Sequence, residues 1–114
     1  MAFEKLSTDE KEIVLNCMTA IYAGPYIEDW EFQTRLGVSR QELAKVISMY
    51  PDLVDEGDDS TVSLGINNSM NEICHGVYIP PQEWQRWFAV SKDHVKRVYA
   101  KWYRLNRHSA SITT

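Results

Sequence analysis

Apolar residues recur at helical spacing in three places before residue 53, and the same three patterns return after residue 59. In the first, Ile13, Val14, Cys17, Met18 and Ile21 fall three and four apart, which predicts one buried helix face. Ser7-Thr8-Asp9-Glu10 ahead of them is a capping box, in which the Ser side chain and the Glu satisfy free backbone N–H groups. Gly24-Pro25 supplies the stop. A second helix over about residues 28–36 carries Trp30, Phe32 and Leu36 and ends at Gly37. Ser39-Arg40-Gln41-Glu42 is another capping box, and Leu43, Val46, Ile47 and Tyr50 share the face that follows, until Pro51 interrupts.

Shifting the chain on itself by 52 residues pairs 7–53 with 59–105, and 12 of the 47 positions are identical. Residue usage alone would give about three identities. The pairs include Asn16/Asn68, Met18/Met70, Gly24/Gly76, Tyr26/Tyr78, Glu31/Glu83 and Ser39/Ser91. The register also decides an ambiguous stretch. Val62, Leu64 and Ile66 alternate like a strand, but Ile66, Met70 and Ile73 align with Val14, Met18 and Ile21, which predicts a helix over 60–75. Pro80-Pro81 then leads into a short helix with Trp84, Trp87 and Phe88, and Ser91 caps a last helix carrying Val95, Val98, Tyr99, Trp102 and Leu105. The expectation is an all-α, six-helix single domain spanning residues 1–114, built from two tandem helix-turn-helix-like repeats of three helices each about an approximate twofold axis. Repeat 1 is 7–53, an acidic connector is 54–58, repeat 2 is 59–105, and a frayed tail is 106–114.

The 114 residues suffice for one hydrophobic core without disulfides or a structural metal. No apolar run reaches the ~20 residues of a membrane span, and the start, MAFEKLSTDEKE, lacks a basic segment followed by an apolar one; a cytoplasmic location without membrane contact is expected. Cys17 and Cys74 read as small buried apolar residues. The net charge of −4 hides an asymmetry: residues 1–72 carry 14 acids and 5 bases, whereas residues 73–114 carry 2 acids and 7 bases. Opposite charge at the two ends also permits a homo-dimer.

Four clusters are candidates for function. The segment EFQTRLGVSRQELAKVISMY resembles a helix-turn-helix, with Gly37 at the turn and Arg40, Gln41 and Lys45 on the second helix. On the last helix Lys96, Arg97, Lys101, Arg104 and Arg107 lie broadly opposite the apolar face. That stripe reads either as a solvated face suited to the negative helix end or as a docking surface for an acidic protein or a phosphate backbone. In GINNSMNEICHG, Asn67, Asn68 and Asn71 are poor helix formers crowded into one helix. Asn68 is expected to bond to backbone near the helix ends or to Asn16, and Asn67, Asn71 and His75 form the alternative, a polar pocket or partner surface. Glu28, Asp29 and Glu31 crowd a helix start, where the dipole favours acids.

The pairing of DWEFQTRLGV with GINNSMNEIC, followed by a Trp-containing helix and a Ser-capped one, resembles a group of small uncharacterised bacterial all-helical proteins. Their matching segments read W-E-F-x4-G and I-N-N-S-L-N, and the likeness extends over about residues 10–103. The resemblance implies a fold and no activity. A Gly-Tyr-Pro-His-like turn follows the Asn-rich helix in that group, whereas His75-Gly76-Val77-Tyr78-Ile79-Pro80 stands here, so no role of that histidine carries over. Phosphate-cradling Gly loops, H-E-x-x-H and G-x-S-x-G are all missing, and His75, His94 and His108 are scattered. The expectation is therefore a non-enzymatic module with no catalytic residues, metal or cofactor that binds another protein, of which an immunity or antitoxin role is one version. The alternative is a regulator that binds nucleic acid through the basic last helix.

Overall fold

Helix-forming signals in the sequence act where they stand. A computed structural model describes residues 2–57 and 60–112, and the side chains of 2–57 and 60–107. Ser7 and Glu10 form the reciprocal capping box that opens α1 (Thr8–Ala23), and Ser39 with Glu42 opens α3 (Arg40–Ser48) in the same way. Between them α2 (Asp29–Leu36) ends at Gly37, whose φ of 69° is the left-handed conformation that glycine adopts without steric cost. Ser60 caps α4 (Thr61–Asn71), which passes into a single π-turn, Glu72–Gly76. The stretch that alternates like a strand is therefore helical. Pro81 opens α5 (Pro81–Trp87), and Ser91 Oγ accepts from the His94 N–H at the start of α6 (Lys92–Ile112). Helical backbone continues to Ile112, past the boundary at 105 inferred from the repeat; residues 113 and 114 lie outside the described residues.

Among the described residues there are six α-helices and no strands, gathered into one globule. The radius of gyration is 13.3 Å, matching the roughly 13 Å of a single compact domain of this size. Helix α4 is central and packs against α1, α2, α3 and α6. Met18 and Ile21 of α1, Leu36 of α2, Leu43 and Val46 of α3, Ile66 and Met70 of α4, and Val95 and Trp102 of α6 fill the core. Gly65 lets α3 approach α4, since a Cβ there would stand 3.3 Å from the Leu43 side chain. Among the described residues no helix is long and apolar enough to cross a membrane.

Two features depart from the sequence expectation. The residues ahead of the first capping box are part of the core: Ala2, Phe3 and Leu6 are buried, with a short 3-10 turn over Phe3–Lys5. In the acidic connector Val54, Glu56 and Gly57 are exposed, but one acid turns inward. Asp55 is only 1% exposed; its Oδ2 accepts from Phe3 N–H at 3.0 Å and from the Trp102 indole N–H at 2.8 Å. Its carbonyl accepts from Ser63 Oγ at 2.9 Å. A carboxylate that finds two donors inside the fold can leave water, which its place in an acidic run does not reveal. Asp58, the last connector residue, lies outside the described residues.

Candidate functional site

Helix α6 is held by opposite edges. On one edge Lys101 Nζ donates to both oxygens of Glu10 at 2.8 and 3.1 Å, tying α6 to the first turn of α1. On the other, Tyr99 Oη donates to Asn67 Oδ1 of α4 at 2.8 Å. Between these edges Lys96, Arg97, Tyr103, Arg104 and Arg107 are exposed. At about 100° per residue they form two columns: Lys96, Tyr103 and Arg107 on the α4 side, and Arg97 and Arg104 on the α1 side. Lys101, at the α1 edge of the predicted stripe, is half-buried, and a carboxylate 91 residues away in sequence holds its ammonium.

The Glu10–Lys101 contact has a pH signature. Lys101 first, and the Ser7 backbone N–H second, hold the Glu10 carboxylate below its usual value. A carboxyl whose folded pKa is depressed stabilises the fold above its unfolded value of ~4.3, and this contribution fades as pH falls through the folded one. Glu10→Gln is therefore expected to cost roughly 0.5–1 kcal/mol at neutral pH, with the difference from the parent protein vanishing in acid. Denaturant melts of both proteins across the acid range check this; a pH-independent difference would show that the Glu10 charge plays no part, since Gln keeps the capping-box acceptor.

The Asn-rich helix divides its amides between structure and surface. Asn68 Nδ2 donates to the Leu36 carbonyl at 2.7 Å, satisfying the C-terminal end of α2, and Asn67 Nδ2 donates to Asn68 Oδ1 at 2.9 Å. Of the two bonds expected of Asn68, it makes the one to backbone near a helix end. A Cβ at position 37 would stand 3.2 Å from the Asn68 amide, a second reason for glycine there. Asn71 and His75 are exposed. Asn67 and His75 fall into different clefts: Ser63, Leu64, Asn67, Trp102, Tyr103, Asn106 and Arg107 line one of about 180 Å³, and His75, Lys96, Tyr99, Ala100 and Tyr103 line one of about 380 Å³. Tyr103 borders both. Asn67 and His75 from the polar cluster and Lys96 and Arg107 from the basic stripe, read separately in sequence, therefore border two neighbouring clefts on the side of α6 next to α4 and the π-turn.

Around these clefts the reactive groups are quiet. Burial pushes the Cys74 thiol up, with Lys96 and Lys92 pulling weakly the other way, and burial pushes Cys17 well up with a smaller contribution from Cys74. Both thiols are buried, free and protonated at neutral pH, while His75 beside Cys74 is exposed. Burial foremost, and then Cys74 and Tyr103, raise the Tyr99 phenol, which keeps it a donor to Asn67.

The helix-turn-helix-like segment is engaged internally. Arg40 pairs with Asp29 at 2.9 Å, lies 4.3 Å from the Phe32 ring centroid and donates to the carbonyls of Tyr22 and Ile27. Its guanidinium clamps α3 to the start of α2, which leaves Gln41 and Lys45 as the exposed polar residues first considered for base contacts. Sequence reasoning also missed Arg35, which binds Glu72 of the π-turn with two nitrogens and reaches Glu31 at 3.4 Å. The exposure of Trp30 (81%) and Tyr78 (75%) had no sequence signal either. No family model, curated protein or solved structure matches the chain.

Proposed function

We propose that this chain is a non-enzymatic protein-binding module whose outer α6 surface docks an acidic face of a partner protein, with an immunity- or antitoxin-like role as one concrete form. One observation carries the reading: Lys96, Arg97, Arg104 and Arg107 stand exposed on a single helix together with Tyr103, which is 43% exposed. Arg and Tyr are enriched at protein interfaces, because each offers a large, stiff contact area with hydrogen-bonding capacity. Charge complementarity adds steering and partner choice.

The same cations favour a second reading, a regulator that binds a nucleic-acid backbone through α6. The acidic net charge of −4 weighs against it. A tagged pull-down with and without nuclease separates the two. A stoichiometric protein should survive nuclease and be lost when Lys96, Arg97, Arg104 and Arg107 are all changed to Glu, in a variant whose helical circular dichroism is unchanged. Retention of that protein by the fourfold variant would refute docking through α6. Nucleic acid recovered in its place, and released steeply by salt, would establish the regulator.

The two halves are further proposed to be tandem copies of one three-helix unit. Helices α1 and α4 begin at Thr8 and Thr61, α2 and α5 at Asp29 and Pro81, and α3 and α6 at Arg40 and Lys92, offsets of 53, 52 and 52 residues. Because α1, α3, α4 and α6 interlock, the halves should unfold together, and two resolved transitions would count against a shared core.

A further inference from the structure

We propose that the groove between α6 and the α4–π-turn edge receives an acidic segment of the partner, with one carboxylate at the Lys96 end, one at the Arg107 end and Tyr103 between them. This rests on the protein-binding reading and narrows it to one column of α6. Lys96, Tyr103 and Arg107 are spaced by seven and four residues, so they lie within about 20° of a common line, and the two cations are about 16 Å apart along the helix. A cleft flanks Tyr103 on either side, of about 380 Å³ toward Lys96 and His75 and about 180 Å³ toward Asn106 and Arg107. No carboxylate lines either cleft.

The groove is also pre-organised. Arg107 Nη1 donates to Tyr103 Oη at 2.8 Å, and its guanidinium lies 5.3 Å from the ring centroid, so the cation is held beside the aromatic anchor. Tyr99 and Asn68 fix the Asn67 amide, and Asp55 fixes the Trp102 indole that floors the smaller cleft. Side chains already ordered lose little freedom when a ligand arrives. The acidic net charge of the chain favours discrete carboxylates over a nucleic-acid backbone, which a basic surface would hold. Here two cationic ends are separated by Ala100 and Tyr103.

The probe is a helical peptide with two glutamates eleven residues apart, titrated into the full-length protein and followed by amide and indole NMR shifts. Shifts are expected at Lys96, Tyr103, Arg107 and the Trp102 indole. Lys96→Ala with Arg107→Ala should weaken binding about tenfold, and Arg97→Ala with Arg104→Ala by less than about twofold. No shifts at millimolar peptide, the reverse ranking of the two pairs, equal binding of a peptide with glutamates four residues apart, or a single-stranded oligonucleotide binding in its place would each overturn the proposal. The lysate experiment separates the two levels of inference. If the fourfold Glu variant loses its protein partner while the Lys96/Arg107 pair keeps it, the module stands and the groove falls; if the fourfold variant also keeps it, both fall.

Discussion

Asp55→Ala is expected to lower the stability of the folded chain by about 2–4 kcal/mol. The carboxylate is the acceptor for two buried donors from the ends of the chain, Phe3 N–H and the Trp102 indole N–H. Removing it leaves both without a partner in a region from which Ala2, Phe3 and Trp102 exclude water, and each orphaned donor costs about 1–3 kcal/mol. For a domain of this length that is a fall in melting midpoint of roughly 10–20 °C. Asp55→Asn keeps one acceptor oxygen and should cost about half as much, although its amide nitrogen would sit where Oδ1 is already buried without a hydrogen-bond partner. Equilibrium denaturation of the two variants and of Trp102→Phe, which removes one donor, is the check. A loss below about 0.5 kcal/mol for Asp55→Ala would mean that the two donors find other partners. Because Trp102 also lines the α4–α6 groove, the same substitution should shift the groove resonances in the peptide titration.

The second large effect is expected at Arg35. Its guanidinium meets Glu72 through Nε at 3.1 Å and through Nη2, in a two-pronged contact between α2 and the π-turn. Glu72 is 8% exposed, and Arg35→Ala would strand its carboxylate. Breaking a fully buried pair costs about 3–5 kcal/mol; because the Arg35 side chain keeps partial access to water, about 2–3 kcal/mol is expected here. Arg35→Lys should recover less than half of this, since an ammonium cannot match both carboxylate oxygens. Gly76→Ala supplies an independent test of the same contact. A Cβ there would overlap Glu72 Oε1 and stand 3.3 Å from Arg35 Nη2, so the carboxylate would have to leave the guanidinium. The double variant Arg35→Ala/Gly76→Ala should then be clearly less destabilised than the sum of the two single losses. Full additivity in denaturant melts would show that glycine and ion pair act separately.

These two contacts bear on the candidate site from opposite ends. Asp55 sets the Trp102 wall of the smaller cleft, and Arg35 anchors the π-turn that presents His75 to the larger one. Neither was legible in the sequence as a site. Arg35 and Glu72 are 37 residues apart, and Asp55 and Trp102 are 47 apart, with no motif linking either pair. Ring and carboxylate contacts of this kind follow from helix packing, which no local spacing encodes. What the sequence did single out were some of the residues that line the two clefts: Lys96 and Arg107 from the charge stripe, and Asn67 and His75 from the unusual density of poor helix formers. Their placement around neighbouring clefts did not show, nor did the pairing of Lys101 with Glu10.

By itself the sequence determined where α1 and α3 begin, where α2 ends and most of the faces that the helices bury. Ser7 with Glu10, Ser39 with Glu42, and Gly37 act on backbone groups within four residues, so their effect is complete before any tertiary contact forms. The three-and-four spacing of Ile66, Met70 and Ile73 likewise outweighed the brief alternation before it, because only a helix brings those three onto one face. Tertiary structure alone decided which charges serve the fold and which stay exposed. Asp55 and Glu72 are buried because donors from distant elements reach them; Arg40 and Lys101 are occupied because Asp29 and Glu10 stand opposite. Lys96, Arg97, Arg104 and Arg107 remain exposed on the helix face turned away from the core. A side chain's charge is written in the chain, but its partner is set by packing across tens of residues.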